Sequence, residues 1–331
     1  MQPNSNKNLS LMIIIFAFIC GIASLSHAQI RKFAELSVPD IQAIDRNNTI
    51  IIIPGGIFEE HGPYLPVYTD GYSNEWMSWE LAEDIVQKSK RTVLMYPTIP
   101  LGVGSPEDFG GHKPFSGSYT VRPSTLRAVY MDLASALGED GFRWIFIIHL
   151  HGSPAHNRAL IEAGDYFNDT FGGKMILLTA YKYSSDPKRS PIWTSDEKRE
   201  NAGDIHAGAS ETSRILFLHP DLVHKKFRDA VPQTASISKD FVRLAEKEDW
   251  PGYFGSPRIA SANAGAIIMR RKVENLSDLA IKILGGFDVS SLNHLGEAGN
   301  KSFKTLDQNL IRRSNELESK QRKWLQSRGL K

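Results

Sequence analysis

At 331 residues, 41% hydrophobic and 23% charged, the chain has ordinary globular composition and is long enough for one large α/β domain or two small ones. A formal net charge of +2 gives no strong pull toward nucleic acid or acidic membranes, so neither is expected as a partner. The single cysteine, Cys20, excludes a disulfide framework and a thiolate zinc site.

The N-terminus reads as a targeting segment. Lys7 precedes an apolar run from Leu9 to Ile22, and small residues follow at Ser26-His27-Ala28. That order is the order of a secretory signal peptide, with cleavage expected after Ala28. The run is shorter than the roughly 20 residues of a membrane-spanning helix, although an uncleaved anchor is the alternative. Cleavage would remove Cys20 and Lys7, taking the charge from +2 to +1. The expected product is exported, periplasmic or secreted, with no stable membrane insertion.

Strands and helices then alternate, with no repeat and no composition break before the basic tail. Thr49–Ile53 predicts a buried strand ending at Pro54-Gly55-Gly56, and Asn74–Ser89 a helix. Thr92–Tyr96 predicts a second strand. Pro123 marks a helix start, followed at helical spacing by Leu126, Val129, Tyr130, Leu133 and Leu137. Trp144–Leu150 is a third apolar strand, Ala155–Phe171 a helix and Met175–Ala180 a fourth strand. Glu211–Leu218 begins another helix, and Ala266–Met269 reads as a late strand. Near-continuous apolar strands are buried on both faces, as in a mainly parallel sheet. The expected fold is a three-layer α/β/α sandwich over residues 29–300, with residues 301–331 a solvated helix or assembly arm. Ligands in such folds bind beyond the carboxyl ends of the strands.

Three segments carry chemistry. The first runs from Gly55 to Asp70 and holds Glu59, Glu60, His61 and Asp70 among glycines and prolines. Carboxylate oxygen and imidazole nitrogen suit zinc, manganese or iron. The second contains His149, His151 and His156. Residues i and i+2 of a strand share a face, so His149 and His151 could serve one site, while at least one of the three is expected to be a core histidine bonded to backbone. The third is His206-Ala207-Gly208-Ala209-Ser210-Glu211-Thr212-Ser213. His206 and Glu211 could reach one cleft, or Ser210 could cap the helix while Glu211 complements its dipole.

Together these segments resemble the creatininase (creatinine amidohydrolase) family. Its Gly-x-x-Glu-x-His-Gly-x-x-Leu-Pro-x-x-x-Asp stretch matches Gly56, Glu59, His61, Gly62, Leu65, Pro66 and Asp70. Its His-Gly after an apolar strand matches His151-Gly152, and its His-Ala-Gly-x-x-Glu-Thr-Ser matches residues 206–213. The resemblance implies an α/β/α hydrolase with two divalent ions, zinc or manganese with iron as an alternative. It implies Glu59, His61, Asp70 and His151 as metal ligands, with Asp70 bridging, and Glu211 as the ligand that completes the second ion's shell. It implies His206 as a catalytic residue suited to proton transfer, and a homo-oligomer, often a hexamer. The chain departs from the family at His149, where an asparagine is usual. It departs again at Ser153, where some members carry a glutamate ligand, so Glu211 must take that role or the second site is weaker. The segment around Ser105–Ser118 is altered and longer. The expected activity is hydrolysis of a small cyclic or linear amide. A peptidase or lactonase on the same core, or a non-catalytic exported binding protein, is the alternative. Glu60 could carry the proton in place of His206 if it points inward, but it is expected to face solvent.

Overall fold

The structure, a computed structural model, describes residues 29–111, 115–236, 238–294 and 301–330. The expected signal peptide lies outside the described residues. Five strands form one wholly parallel sheet: β1 (Ile30–Lys32), β2 (Thr49–Pro54), β3 (Thr92–Met95), β4 (Trp144–Ile148) and β5 (Lys174–Leu177). Their order is β1-β3-β2-β4-β5. The central strand, β2, is buried from end to end, with Ile51 opposite Leu94 on one side and Ile145 on the other.

The four isoleucines of β2 point alternately into two cores, as the strand period requires. Ile50 and Ile52 pack against α1 (Thr69–Ser89), through Met77, Leu81 and Ile85. Ile51 and Ile53 pack against α2 (Pro123–Glu139) and α3 (Pro154–Phe171), through Leu126, Tyr130, Leu160 and Phe167. Of the later helices, α4 (Ala209–Leu218) and α5 (Ala262–Leu284) are the ones that shape the site, and α5 joins α1 on the Ile50 face through Met269, Leu276 and Ile283. This is the expected three-layer α/β/α sandwich. The basic tail forms a helix, α6 (Lys301–Ser327), which adds Leu310 to the Ile51 core while Trp324 stays exposed.

Right-handed crossovers explain the division of helices. The connection from β2 through α1 steps one way to β3, whereas those through α2 and α3 step the other way to β4 and β5. Reversing the step moves the helices to the opposite face. The loops leaving β2 and β4 therefore part at the middle of the sheet, opening a crevice at their carboxyl ends.

Three readings of the sequence change, the first being the strand expected over Met175–Ala180, which ends at Leu177 and passes into a 3₁₀ turn over Leu178–Ala180. Ala266–Met269 is helical, not a strand, and lies in the first half of α5. The run Ala-Ile-Ile-Met suits a strand locally, but burial of Ile268, Met269, Leu276, Leu279 and Ile283 at helical spacing on the sheet overrides local preference. β1 was not expected, being three residues at the sheet edge. Among the described residues no helix is long and apolar enough to cross a membrane.

Helices α4 and α5 touch through Gly265, where an added Cβ would lie 1.9 Å from the Ser213 carbonyl oxygen. Gly265→Ala should force the two helices apart and lower stability by about 1–3 kcal/mol. Urea denaturation checks this, and an unchanged midpoint would show that the helices adjust freely.

Candidate metal centre

The crevice is held in shape by main-chain bonds and one amide. Gly55 N–H donates to the Ile148 carbonyl at 2.8 Å, and Gly56 N–H to Ile99 at 3.0 Å. Asn74, buried on α1, donates to the Gly55 carbonyl and accepts from Leu150 N–H, both at 2.9 Å. That one side chain ties together the loops after β2 and β4. His149 donates from Nε2 to the Gly56 carbonyl at 3.1 Å, and its Nδ1 accepts from His151 N–H at 3.4 Å. Both ring nitrogens are thus spent on backbone, and His149 does not share the centre with His151. Burial holds its pKa down to about 4, so it stays neutral. His156 is a second core histidine, accepting from Val103 N–H.

The structure brings Glu59, His61, Asp70, His151, His206 and Glu211 to one place. Their ligand atoms form three overlapping groups, each within 4.8 Å: Glu59, Asp70 and His151; His61, Asp70 and Glu211; and Glu59, His61 and His206. Asp70, in the first turn of α1, is common to the first two. His151 Nδ1 lies 3.1 Å from Glu59 Oε2 and 3.6 Å from Asp70 Oδ2. His61 Nε2 lies 3.5 Å from Glu211 Oε2.

Three imidazoles are aimed by the same device. His61 donates from Nδ1 to the Glu59 carbonyl at 3.0 Å, His151 from Nε2 to Val103 at 2.9 Å, and His206 from Nε2 to Glu60 at 2.7 Å. Each ring therefore turns its other nitrogen to the centre, as metal-ligating histidines do when the outer nitrogen is anchored. Glu59 Oε1 and His61 Nε2 are buried without a hydrogen-bond partner. Orphaned acceptors of this kind are costly unless a cation or a proton meets them. The donor set therefore fits a pair of divalent ions.

Residues 204–214 fold tightly to bring His206 and Glu211 together. Ala207 adopts φ +50°, a left-handed conformation that is strained for a residue with a Cβ. Its N–H donates to Glu211 Oε2 at 2.5 Å. The alternative role for this segment, capping by Ser210, is not what is seen. α4 begins at Ala209, and Asp204 Oδ2 takes both the Ser210 N–H at 2.9 Å and its hydroxyl at 2.6 Å.

The sequence reading misplaced one site residue and missed another. Glu60, expected to face solvent, is buried, with Oε1 3.4 Å from His206 Nε2 and Oε2 accepting from Gly62 N–H. A Cβ on Gly252 would meet Glu60 Oε2 at 2.3 Å, so this burial depends on a glycine in a distant loop. Arg214, also buried, pairs with Glu211 Oε1 and lies 3.9 Å from Asp70 Oδ1. Its position three residues after a proposed ligand on the same helix was the available signal.

Charge is the organising quantity. Burial alone would raise the Asp70 carboxyl, but the His151 hydrogen bond and the His61 and Arg214 charges hold it well below its usual range. Glu211 is lowered against burial in the same way, chiefly by Arg214. Burial works against protonating His151 and His206, yet Glu59 and its neighbours raise His151 well above normal and His206 to about 10. Both shifts favour protonated imidazoles as counter-charges, which a bound cation would replace. The centre opens into a cavity of about 280 Å³ whose further walls include Ser105, Phe109, Leu150, Ser153 and Ile205.

Comparison with known proteins agrees with this architecture. The family profile described as creatinine amidohydrolase matches residues 34–280. The chain belongs to the creatininase family of amidohydrolases. It is 24% identical over 253 residues to the creatinine amidohydrolase of Pseudomonas putida, covering 74% of this chain and 94% of that one. It is 24% identical over 236 residues to the mycofactocin precursor peptide peptidase of Mycolicibacterium smegmatis, covering 69% and 83%. A solved mutant creatininase of Zn-Zn type shares the fold, with a TM-score of 0.57, 19% identity, and coverage of 76% of this chain and 97% of that one.

Arg214→Met would leave Asp70 and Glu211 without their buried cation. The chelator-treated variant should lose about 3–5 kcal/mol of stability, the usual cost of breaking a buried ion pair. Denaturation of the metal-free variant beside the wild type checks this, and a loss under about 1 kcal/mol would remove Arg214 from the charge balance.

Proposed function

We propose that the chain is an exported, metal-dependent amidohydrolase that cleaves a small cyclic or linear amide. The observation that carries the reading is the pair of three-residue donor groups sharing Asp70. Glu59, Asp70 and His151 would hold one ion, and His61, Asp70 and Glu211 the other. Zinc or manganese suits these donors. Two such ions supply Lewis-acid polarisation of the scissile carbonyl and acidify water.

The protein's own groups do the rest. Anchored through Nε2–H on the Glu60 carbonyl, His206 turns Nδ1 toward the centre, 4.0 Å from Glu59 Oε1 and 3.9 Å from Glu211 Oε2. Held there, it can carry a proton to the leaving nitrogen, the step that amide cleavage requires of a general acid. Glu60, beside Nε2, keeps the ring in place. Phe109, Leu150 and Ile205 give the cavity an apolar wall, while the Ser153 hydroxyl, buried and without a hydrogen-bond partner, offers a polar contact to substrate. Peptide-bond cleavage is the second reading, favoured by the similarity to the mycofactocin precursor peptide peptidase.

Export rests on the order of Lys7, the run Leu9–Ile22 and Ser26-His27-Ala28. Sequencing the N-terminus of the protein recovered from outside the cytoplasm tests it. Self-association into a homo-oligomer follows from the family alone, and solution mass at micromolar concentration decides it.

Metal analysis tests the ligand set. Asp70→Ala should release both ions and abolish activity, whereas Glu211→Ala should remove mainly one. Two ions retained by Asp70→Ala would show that Asp70 is not the bridge.

His206→Ala should keep its metals and lose turnover by roughly 10²–10⁴-fold, the range of general acid–base assistance. Metal content and kcat measured on one preparation separate the roles. Loss of an ion would make His206 a ligand, and near-normal kcat would remove it from the mechanism.

A further inference from the structure

Beside the metal cavity lies a second one, of about 110 Å³. The two share Leu150, so a single side chain borders both. The second cavity lies just past the carboxyl ends of β4 and β5, where Leu178 and Thr179 meet α5. From α5 it receives Lys272, Asn275, Leu276 and Leu279, one stripe at helical spacing.

The side-chain polar groups of this cavity are weighted toward donors. Its lining contains no carboxylate. Thr179 Oγ1 is spent on His149, accepting from its N–H at 3.2 Å and donating to its carbonyl at 2.5 Å. The Tyr183 hydroxyl is engaged by Asp278 and Lys282. Asn275 Oδ1 accepts from Ser185 N–H at 3.0 Å and from its hydroxyl at 2.9 Å. The backbone donor fixes which end of that amide is oxygen, leaving the NH₂ as the open end. Among the described residues, neither this NH₂ nor the Lys272 ammonium has a hydrogen-bond or ion-pair partner. What remains is two donors, one of them a cation, beside the Tyr181 hydroxyl, which can donate or accept.

An ammonium partly withdrawn from water without a counter-ion, as at half-buried Lys272, is destabilised. Burial, reinforced by the nearby Arg214 charge, pulls Lys272 down to about 8, although Glu211 and Asp70 act in the opposite direction. An anion in the cavity would remove the penalty. One ammonium matches one carboxylate, whereas a phosphate dianion would leave a charge uncompensated.

We infer that this cavity is a carboxylate subsite, in which the Lys272 ammonium and the Asn275 amide receive the carboxylate of a small ligand across Leu150 from the metal centre. The carboxylate belongs either to the substrate itself, which rests on the hydrolase reading, or to a free anion bound beside it.

Saturation-transfer NMR on chelator-treated, full mature protein tests the site without metal or turnover, using acetate and its neutral counterpart acetamide. Acetate should bind and acetamide should not. Lys272→Met should weaken acetate at least tenfold, Asn275→Leu should weaken it less, and Lys272→Arg should retain it. Thermal melts confirm that each variant is folded. No acetate binding, or equal binding by folded Lys272→Met, would overturn the subsite. The two sources are then distinguished with the metal-loaded enzyme on N-formylglycine and N-formylglycinamide. A substrate carboxylate predicts that Lys272→Met lowers kcat/KM at least tenfold for N-formylglycine only. Equal effects on both, with acetate still bound by the wild type, would overturn the substrate source in favour of a free anion. Failure of the wild type to hydrolyse any amide would count against the hydrolase reading, while the acetate result stands by itself.

Discussion

Three carboxylates, those of Glu59, Asp70 and Glu211, converge in a buried volume, and the arrangement around them is compensation for that charge. At an effective dielectric of 20, two like charges about 4 Å apart repel by roughly 4 kcal/mol, more than a fold of marginal stability tolerates repeatedly. The compensation comes from several directions. Arg214 reaches two of the carboxylates from α4. His151 lies between the third and Asp70. His61 and His206 complete the ring, their tilted imidazoles 4.4 Å apart between centroids. A pair of divalent ions in the same place would do the work that protons and the guanidinium do without them.

Such a cluster holds only if its parts cannot turn away. Each imidazole is pinned by one N–H to a main-chain carbonyl, so the chain path decides which nitrogen faces inward. Asn74 pins that path, because it bonds both loops that leave the middle of the sheet. The strained Ala207 and the close approach of Gly252 to Glu60 belong to the same economy of fit. The sheet supplies a rigid rim, and its point of reversal between β2 and β4 supplies the space.

The second cavity follows from the same topology. Thr179, whose hydroxyl is bonded to the His149 backbone, faces it, and Leu150 borders both it and the metal centre. A molecule long enough to pass Leu150 would meet Lewis acidity on one side and a cation on the other. The two cations, buried Arg214 and part-exposed Lys272, thus have different settings: one is paired within the protein and the other is not.

Local sequence determined the elements with unambiguous pattern and the chemistry of the donors. Thr49–Ile53, Trp144–Leu150 and the Pro123 helix were legible because apolar runs and a proline at a helix start act over a few residues. Glu59, His61, Asp70, His151, His206 and Glu211 were legible as oxygen and nitrogen donors in three spaced motifs. Tertiary structure decided the rest. It made residues 266–269 helical, because burial on the sheet outweighs local strand preference. It turned His149 into a backbone anchor, because Gly55 lets the ring approach the chain closely. It buried Glu60 and Arg214 at the centre and left Lys272 alone in the adjoining cavity. A charged side chain's partners come from segments distant along the chain, so its environment is written in the packing of the loops and not in the residues beside it.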